Sequence, residues 1–175
     1  AKAYLVGNDG LQRWPDGDDF GVSVHPSRYR TANTIYCAWP RLFGESRESA
    51  QFIDTAAEAK LKDLDEAGYS VIPPSGTLRG LKQALGHIVD DLGCRIIHLL
   101  PVNPTPTTFA RFGRYGSPYA SLDLTAIDPA LVEFDKRATG IEQFCELTQE
   151  AHRKKAAVFI DLVINHTGWG SRLYE

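Results

Sequence analysis

A carboxylate, a carboxamide and an imidazole, those of Asp161, Asn165 and His166, stand close together in Ala156-Ala-Val-Phe-Ile-Asp-Leu-Val-Ile-Asn-His-Thr-Gly168. Such groups donate and accept hydrogen bonds in complementary ways, which suits holding and orienting a polar ligand. The residues around them are apolar and mostly β-branched, the composition of a strand buried on both faces in a parallel sheet. A polar cluster at the carboxyl end of such a strand is where α/β folds and β/α barrels carry their chemistry, because loops converge there above a packed floor. Strand alternation separates Asp161, Val163 and Asn165 from Leu162, Ile164 and His166. The Asp161 side is expected to face a barrel interior, and a break in the pleat at the strand's end would turn His166 to the same mouth.

The elements that position this cluster follow from periodicities upstream. Thr34-Ile-Tyr-Cys-Ala-Trp39, stopped by Pro40, has strand composition and is the candidate first barrel strand. In residues 49–67 the apolar side chains of Ile53, Ala57, Leu61 and Leu64 recur at helical spacing, and Gly68 supplies a stop. Thr77 caps a second helix with the stripe Leu81, Leu85, Ile88, Leu92, closed by Gly93. Arg95-Ile-Ile-His-Leu-Leu100 reads as the next strand, with His98 as a satisfied core histidine. Residues 102–138 form a long connection without a clear helix, which points to a functional loop; its Asp123 and Asp128 read as turn caps. Thr139-Gly-Ile-Glu142 is a capping box for a third helix, with Phe144, Leu147 and Ala151 inward. Strand, helix, strand, helix, strand predicts parallel β/α architecture over residues 34–175. Residues 1–33 read as a separate amino-terminal β segment or the tail of an accessory domain. Its short strands are 4–6 and 20–24, around the turns Gly7-Asn-Asp-Gly10 and Pro15-Asp-Gly17.

At 175 residues, 43% hydrophobic and 23% charged, the composition suits one globular core. A complete eight-stranded barrel needs about 250 residues, so only part of one is expected here. A net charge of −3 offers no electrostatic footprint for nucleic acid or an anionic membrane. No apolar run approaches the ~20 residues of a membrane span. Cys37, Cys94 and Cys145 are odd in number, lack metal-ligand spacing and have apolar sequence neighbours. They are expected to be buried thiols of a reducing cytosol, which makes the expected location cytoplasmic; a start at Ala1 leaves secretion open.

Asp161-Leu-Val163-Ile-Asn165-His166 resembles the Asp-x-Val-x-Asn-His signature on the third barrel strand of the alpha-amylase superfamily of glycoside hydrolases and transglycosidases. Gly76-Thr-Leu-Arg-Gly80 and Leu92-Gly-Cys-Arg-Ile-Ile-His-Leu-Leu-Pro101 are similar to the family's first barrel helix and second strand. Tyr119, Asp123 and Ile127-Asp128-Pro129 fit the register of the segment before its third helix. Many hydrolases of the family carry Gly-Tyr-Asp where this chain has Pro118-Tyr119-Ala120. Gly116-Ser-Pro-Tyr119 looks more like the debranching-related and glucan-transferring branches.

The resemblance implies an α/β fold, a partial TIM (β/α)8 barrel of about the first three strands with their helices, preceded by a short β segment. It implies part of a glycosidase or transglycosidase acting on alpha-linked glucans of starch or glycogen type, with a retaining mechanism in the full-length enzyme. Retaining cleavage uses two carboxyl groups about 5–5.5 Å apart. In the family these lie on the fourth and fifth strands, so no catalytic carboxylate is expected in this chain; they are expected beyond Glu175, and the polypeptide alone is expected to be inactive. Tyr119 would be an aromatic platform for a glucosyl ring, His166 would hydrogen-bond a sugar hydroxyl, and Asp161 would orient neighbouring groups. Asn165 is a calcium ligand in calcium-dependent members; no other cofactor is implied. The implied partners are an alpha-glucan and the remainder of the barrel, with neither nucleic acid nor membrane. Two alternatives stand beside this: a non-catalytic amylase-fold scaffold or carbohydrate-binding protein, and an unrelated small α/β binding domain complete in itself.

Overall fold

Turn-forming and strand-forming residues alternate early in the chain, and the first unit begins accordingly with a hairpin. A computed structural model describes residues 5–14, 16, 34–44, 55–69, 71–72, 74–106 and 115–173. It divides the chain into two units, Ala1–Thr31 and Ala32–Glu175. In the first, β1 (Leu5–Val6) pairs antiparallel with β2 (Gln12–Arg13). The Gly7-Asn-Asp-Gly10 turn joins them, with the Gly10 N–H donating to the Gly7 carbonyl at 2.9 Å. The pairing partner at Gln12–Arg13 was not legible from propensity, and the expected strand at 20–24 lies outside the described residues.

In the second unit, β3 (Ile35–Ala38), β4 (Ile96–Leu99) and β5 (Ala157–Ile160) form a parallel sheet in the order β3-β4-β5. Between them run α1 (Thr55–Glu66), α2 (Leu78–Leu85) and α3 (Gly140–Arg153). This is a partial barrel, a parallel α/β sheet that does not close among the described residues. Ala38, Ile97 and Leu99 point to one face of the sheet, where Leu81, Leu85, Ile88, Leu147 and Ala151 of the helical segments complete the core. No helix among the described residues is long and apolar enough to cross a membrane.

Local signals account for the helix ends. The Thr77 hydroxyl accepts from the Gly80 N–H at 3.0 Å, and the Thr139–Glu142 capping box forms in full. Gly76 is required by close approach: a Cβ there would stand 2.1 Å from the Phe43 carbonyl oxygen. After α2 the helix widens into a π turn, Gly86–Asp91, with the Leu92 N–H on the His87 carbonyl at 2.9 Å. The wider turn changes the rotation per residue, so Ile88 is buried but Leu92, expected in the core stripe, is half-exposed. The stripe of α1 is likewise only partly realised. Leu61 and Leu64 are half-buried and Ala57 is exposed, because no residue of α1 is covered fully by its neighbours; Ile53 lies outside the described residues.

Two charged networks fasten the long connection to this framework. The Arg41 guanidinium meets Asp128 at 2.7 Å, with both side chains under one-tenth exposed. Asp128 also caps the turn at Pro129–Leu131, accepting from the Ala130 N–H at 2.9 Å. Nearer the surface, Arg79 donates to Glu146 at 2.6 and 3.0 Å and to Asp135 at 3.0 Å, and Lys82 donates to Glu146 at 2.6 Å. The hydrogen bond to Arg79, then that to Lys82, holds the Glu146 carboxyl down at about 2.

Removing one partner of a buried pair leaves the other charge desolvated and unpaired. Asp128→Ala is therefore expected to cost about 3–5 kcal/mol in urea unfolding, and a loss below ~1 kcal/mol would contradict the role given to the pair. Glu146 makes a pH-dependent contribution. Its folded pKa of about 2 lies below the ordinary 4.5, so its stabilisation is complete above pH 4.5 and is lost as pH falls through 2. Glu146→Gln should flatten that acid limb in melting curves; an unchanged limb would assign it to other carboxylates.

Candidate functional site

The face of the sheet opposite the helices is open among the described residues. Registered pairing puts Cys37, His98 and Phe159 in one row on that face, one residue out of phase with the row Ala38, Leu99, Ile160, of which Ala38 and Leu99 are in the core. Phe159 is 53% exposed, and Leu162 and Ile164 beyond the strand are exposed as well. The expectation of a strand buried on both faces is thus corrected: Phe159 on one face of β5 and Ile160 on the other are both exposed. The same openness corrects two other expectations. His98 is half-exposed and not a core histidine, and Cys37 is exposed; Cys145, on α3, is exposed as well, leaving only Cys94 as a buried thiol.

The ladder ends at Ile160, but one further bond, from the Asp161 N–H to the Leu99 carbonyl at 2.9 Å, fixes where Asp161 stands. It follows Phe159 on the open face, at the carboxyl end of the sheet. The Tyr119 hydroxyl donates to Asp161 Oδ2 at 2.8 Å, and His98 Nε2 lies 4.0 Å from the same oxygen. That hydrogen bond, helped by partial burial, raises the Tyr119 phenol above its usual pKa of 10.0. His166 Nε2 lies 3.1 Å from the Tyr119 carbonyl oxygen. A carbonyl only accepts, so this contact places the proton on Nε2 and leaves Nδ1 of the neutral ring as an acceptor.

Residues 117–122, which carry Tyr119, are held from both sides. The Leu122 N–H donates to the Pro104 carbonyl at 2.8 Å, and the Gly168 N–H donates to the Ser121 carbonyl at 2.7 Å. Asn103, itself buried, ties down the end of the same connection through the Ala126 carbonyl at 3.1 Å. Asp123 accepts from the Thr125 amide and hydroxyl at 2.7 and 2.6 Å, a turn cap as expected.

The structure therefore brings Tyr119, Asp161 and His166 together and adds His98, which sequence reasoning had placed in the core. The parity of β4 against β5 would have identified His98 had the register been known. Asn165 stays apart, exposed beyond the strand. Among the described residues no group of three or more His, Cys, Asp or Glu side chains is gathered to hold a metal ion. A half-exposed aromatic face, a carboxylate and an imidazole at one sheet end can grip a neutral polyhydroxylated ligand through apolar C–H contact and hydrogen bonds.

The Tyr119–Asp161 bond is open to direct measurement. Asp161→Asn should lower the Tyr119 pKa towards 10, seen as an earlier tyrosinate absorbance component that Tyr119→Phe removes. Coincident titration of parent and Asp161→Asn would show that the bond does not form in solution.

No family model matches the chain. A Beta/alpha-amylase of Paenibacillus polymyxa is 32% identical over 93 residues, which are 53% of this chain and 7% of that protein. The crystal structure of an alpha-amylase from Lactobacillus plantarum superposes with a TM-score of 0.56 and 28% identity, covering 85% of this chain and 26% of that one. A debranching enzyme from Nostoc punctiforme gives 0.53 and 21%, covering 86% of this chain and 27% of that one. The chain thus spans little more than a quarter of these solved structures and far less of the curated relative. It has the fold of the opening part of an alpha-amylase-family β/α barrel.

Proposed function

We propose that this chain forms part of a glycosidase or transglycosidase acting on alpha-linked glucans of starch or glycogen type, of the debranching or transferase kind, retaining in the full-length protein. The observation that carries the reading is the convergence of Tyr119, Asp161 and His166. They are bound to one another at 2.8 and 3.1 Å, at the carboxyl end of the sheet, where β/α barrels hold substrate. The similarity to amylase-family proteins supports the same reading.

In this proposal the Tyr119 ring lies against one face of a glucosyl unit and offers its π cloud to the positive charge that develops in an oxocarbenium-like transition state. The bond to Asp161 fixes the ring's angle, and its raised pKa keeps the phenol a neutral donor at working pH. His166, oriented by the Tyr119 carbonyl, presents Nδ1 as acceptor for a sugar hydroxyl. Asp161 stabilises positive charge nearby, and the proposal places the nucleophile and the proton donor outside residues 1–175. No cofactor forms part of the reading.

The test is turnover of maltoheptaose and glycogen by the full-length protein, with the product anomer read by NMR. Tyr119→Ala and His166→Ala should each lower kcat/KM by about a hundredfold, the scale of lost positioning at a reacting centre. Binding of maltoheptaose without turnover in the parent would favour the carbohydrate-binding alternative. A parent that neither binds nor turns over either glucan would end the reading.

A further inference from the structure

Beyond His166 the chain is fastened a second time to the segment that carries Tyr119. The Gly168 N–H donates to the Ser121 carbonyl at 2.7 Å, and the Ser171 hydroxyl donates to the Leu122 carbonyl at 2.9 Å. A Cβ on Gly168 would stand 2.4 Å from the Ala120 carbonyl oxygen, so only glycine permits this approach. Between the two fastenings the Ser171 N–H reaches back to the Gly168 carbonyl at 3.3 Å. Gly170 takes the left-handed conformation, φ 83°, that the third position of a type II turn demands. The second position of that turn is Trp169.

Trp169 is 64% exposed, although the backbone on either side of it is pinned and Ser171 is buried. Single exposed apolar side chains are ordinary on protein surfaces. This one differs in its mount: two glycines and a buried serine define the turn that holds it out. The segment it is stapled to, residues 117–122, also presents Tyr119, 39% exposed. Two partly exposed aromatic side chains thus stand on two segments hydrogen-bonded to each other. Fixed aromatic faces bind sugar rings at little entropic cost, because their own ordering precedes the ligand. A ligand long enough to meet both is a chain of sugar units.

We propose that Trp169 is an accessory sugar-binding platform, taking a unit of an alpha-glucan chain other than the one on Tyr119. The inference rests on the glucan reading above and adds a residue and a chain-length preference to it. Short ligands occupy the Tyr119 position alone; longer ones gain the second contact.

The experiment is calorimetric titration of the full-length parent, Trp169→Ala and Trp169→Tyr with maltose and with maltoheptaose, alongside melting curves to confirm folding. Trp169→Ala should weaken maltoheptaose binding about tenfold and leave maltose unchanged, while Trp169→Tyr retains most of the affinity. Equal affinity of Trp169→Ala and parent for maltoheptaose would overturn the proposal. So would an equal loss for both ligands, which would make Trp169 a support for the Tyr119 position. A parent and a Trp169→Ala variant that bind maltoheptaose equally tightly overturn only this inference; a parent that binds neither ligand overturns the glucan reading with it.

Discussion

The buried pair of Arg41 and Asp128 is the constraint on which the placement of the long connection depends. Two charges taken out of water are costly unless each finds a partner and its remaining hydrogen-bonding capacity is filled. Here Asp128 meets Arg41 with one oxygen and caps Ala130 with the other, while its own amide donates to the Val102 carbonyl at 2.8 Å. The Arg41 guanidinium lies over the Tyr115 ring, 5.4 Å from its centroid, and Tyr115 meets Trp39 edge-on. One residue thus joins the turn after β3, the segment following β4 and the start of the segment leading into α3. With both ends of the connection anchored, its middle can carry Tyr119 to a defined position.

A division between the two faces of the sheet follows. The helix-covered face is filled with aliphatic side chains at van der Waals contact, and a polar group there would need its own partner. The side chains of His98, Asp161, Tyr119 and His166 stand instead on the open face and at its carboxyl end. The connection between β4 and α3 crosses that end and covers part of it. Phe159 and Ile164 are exposed beside them.

Features decided within a few residues were legible in the sequence. Thr77 and the Thr139–Glu142 box cap their helices, and Asp123 closes its own turn. Each needs only neighbours one to three positions away. What failed depended on register and coverage. Cys37, His98 and Phe159 have the apolar neighbours of core residues in sequence, yet pairing sets all three on the uncovered face. Leu92 missed the core because a π turn changed the helical phase, which no propensity signals. The contact between Tyr119 and Asp161, 42 residues apart, was beyond reading from local pattern. Only the resemblance to a known family, residue by residue, put both in one site.

The geometry of that site also decides which of its atoms donate and which accept. Asp161 accepts from Tyr119, and the shared proton stays on the phenol because deprotonation would set two negative oxygens 2.8 Å apart. The carbonyl of the same tyrosine then accepts a hydrogen bond from His166 Nε2, so one residue meets both the carboxylate and the imidazole. The site thus presents an aromatic face, a carboxylate and an imidazole held by hydrogen bonds to one another. Little has to reorganise on binding, and preorganisation of that kind favours a ligand whose hydroxyls match the existing pattern over one that merely fits the space.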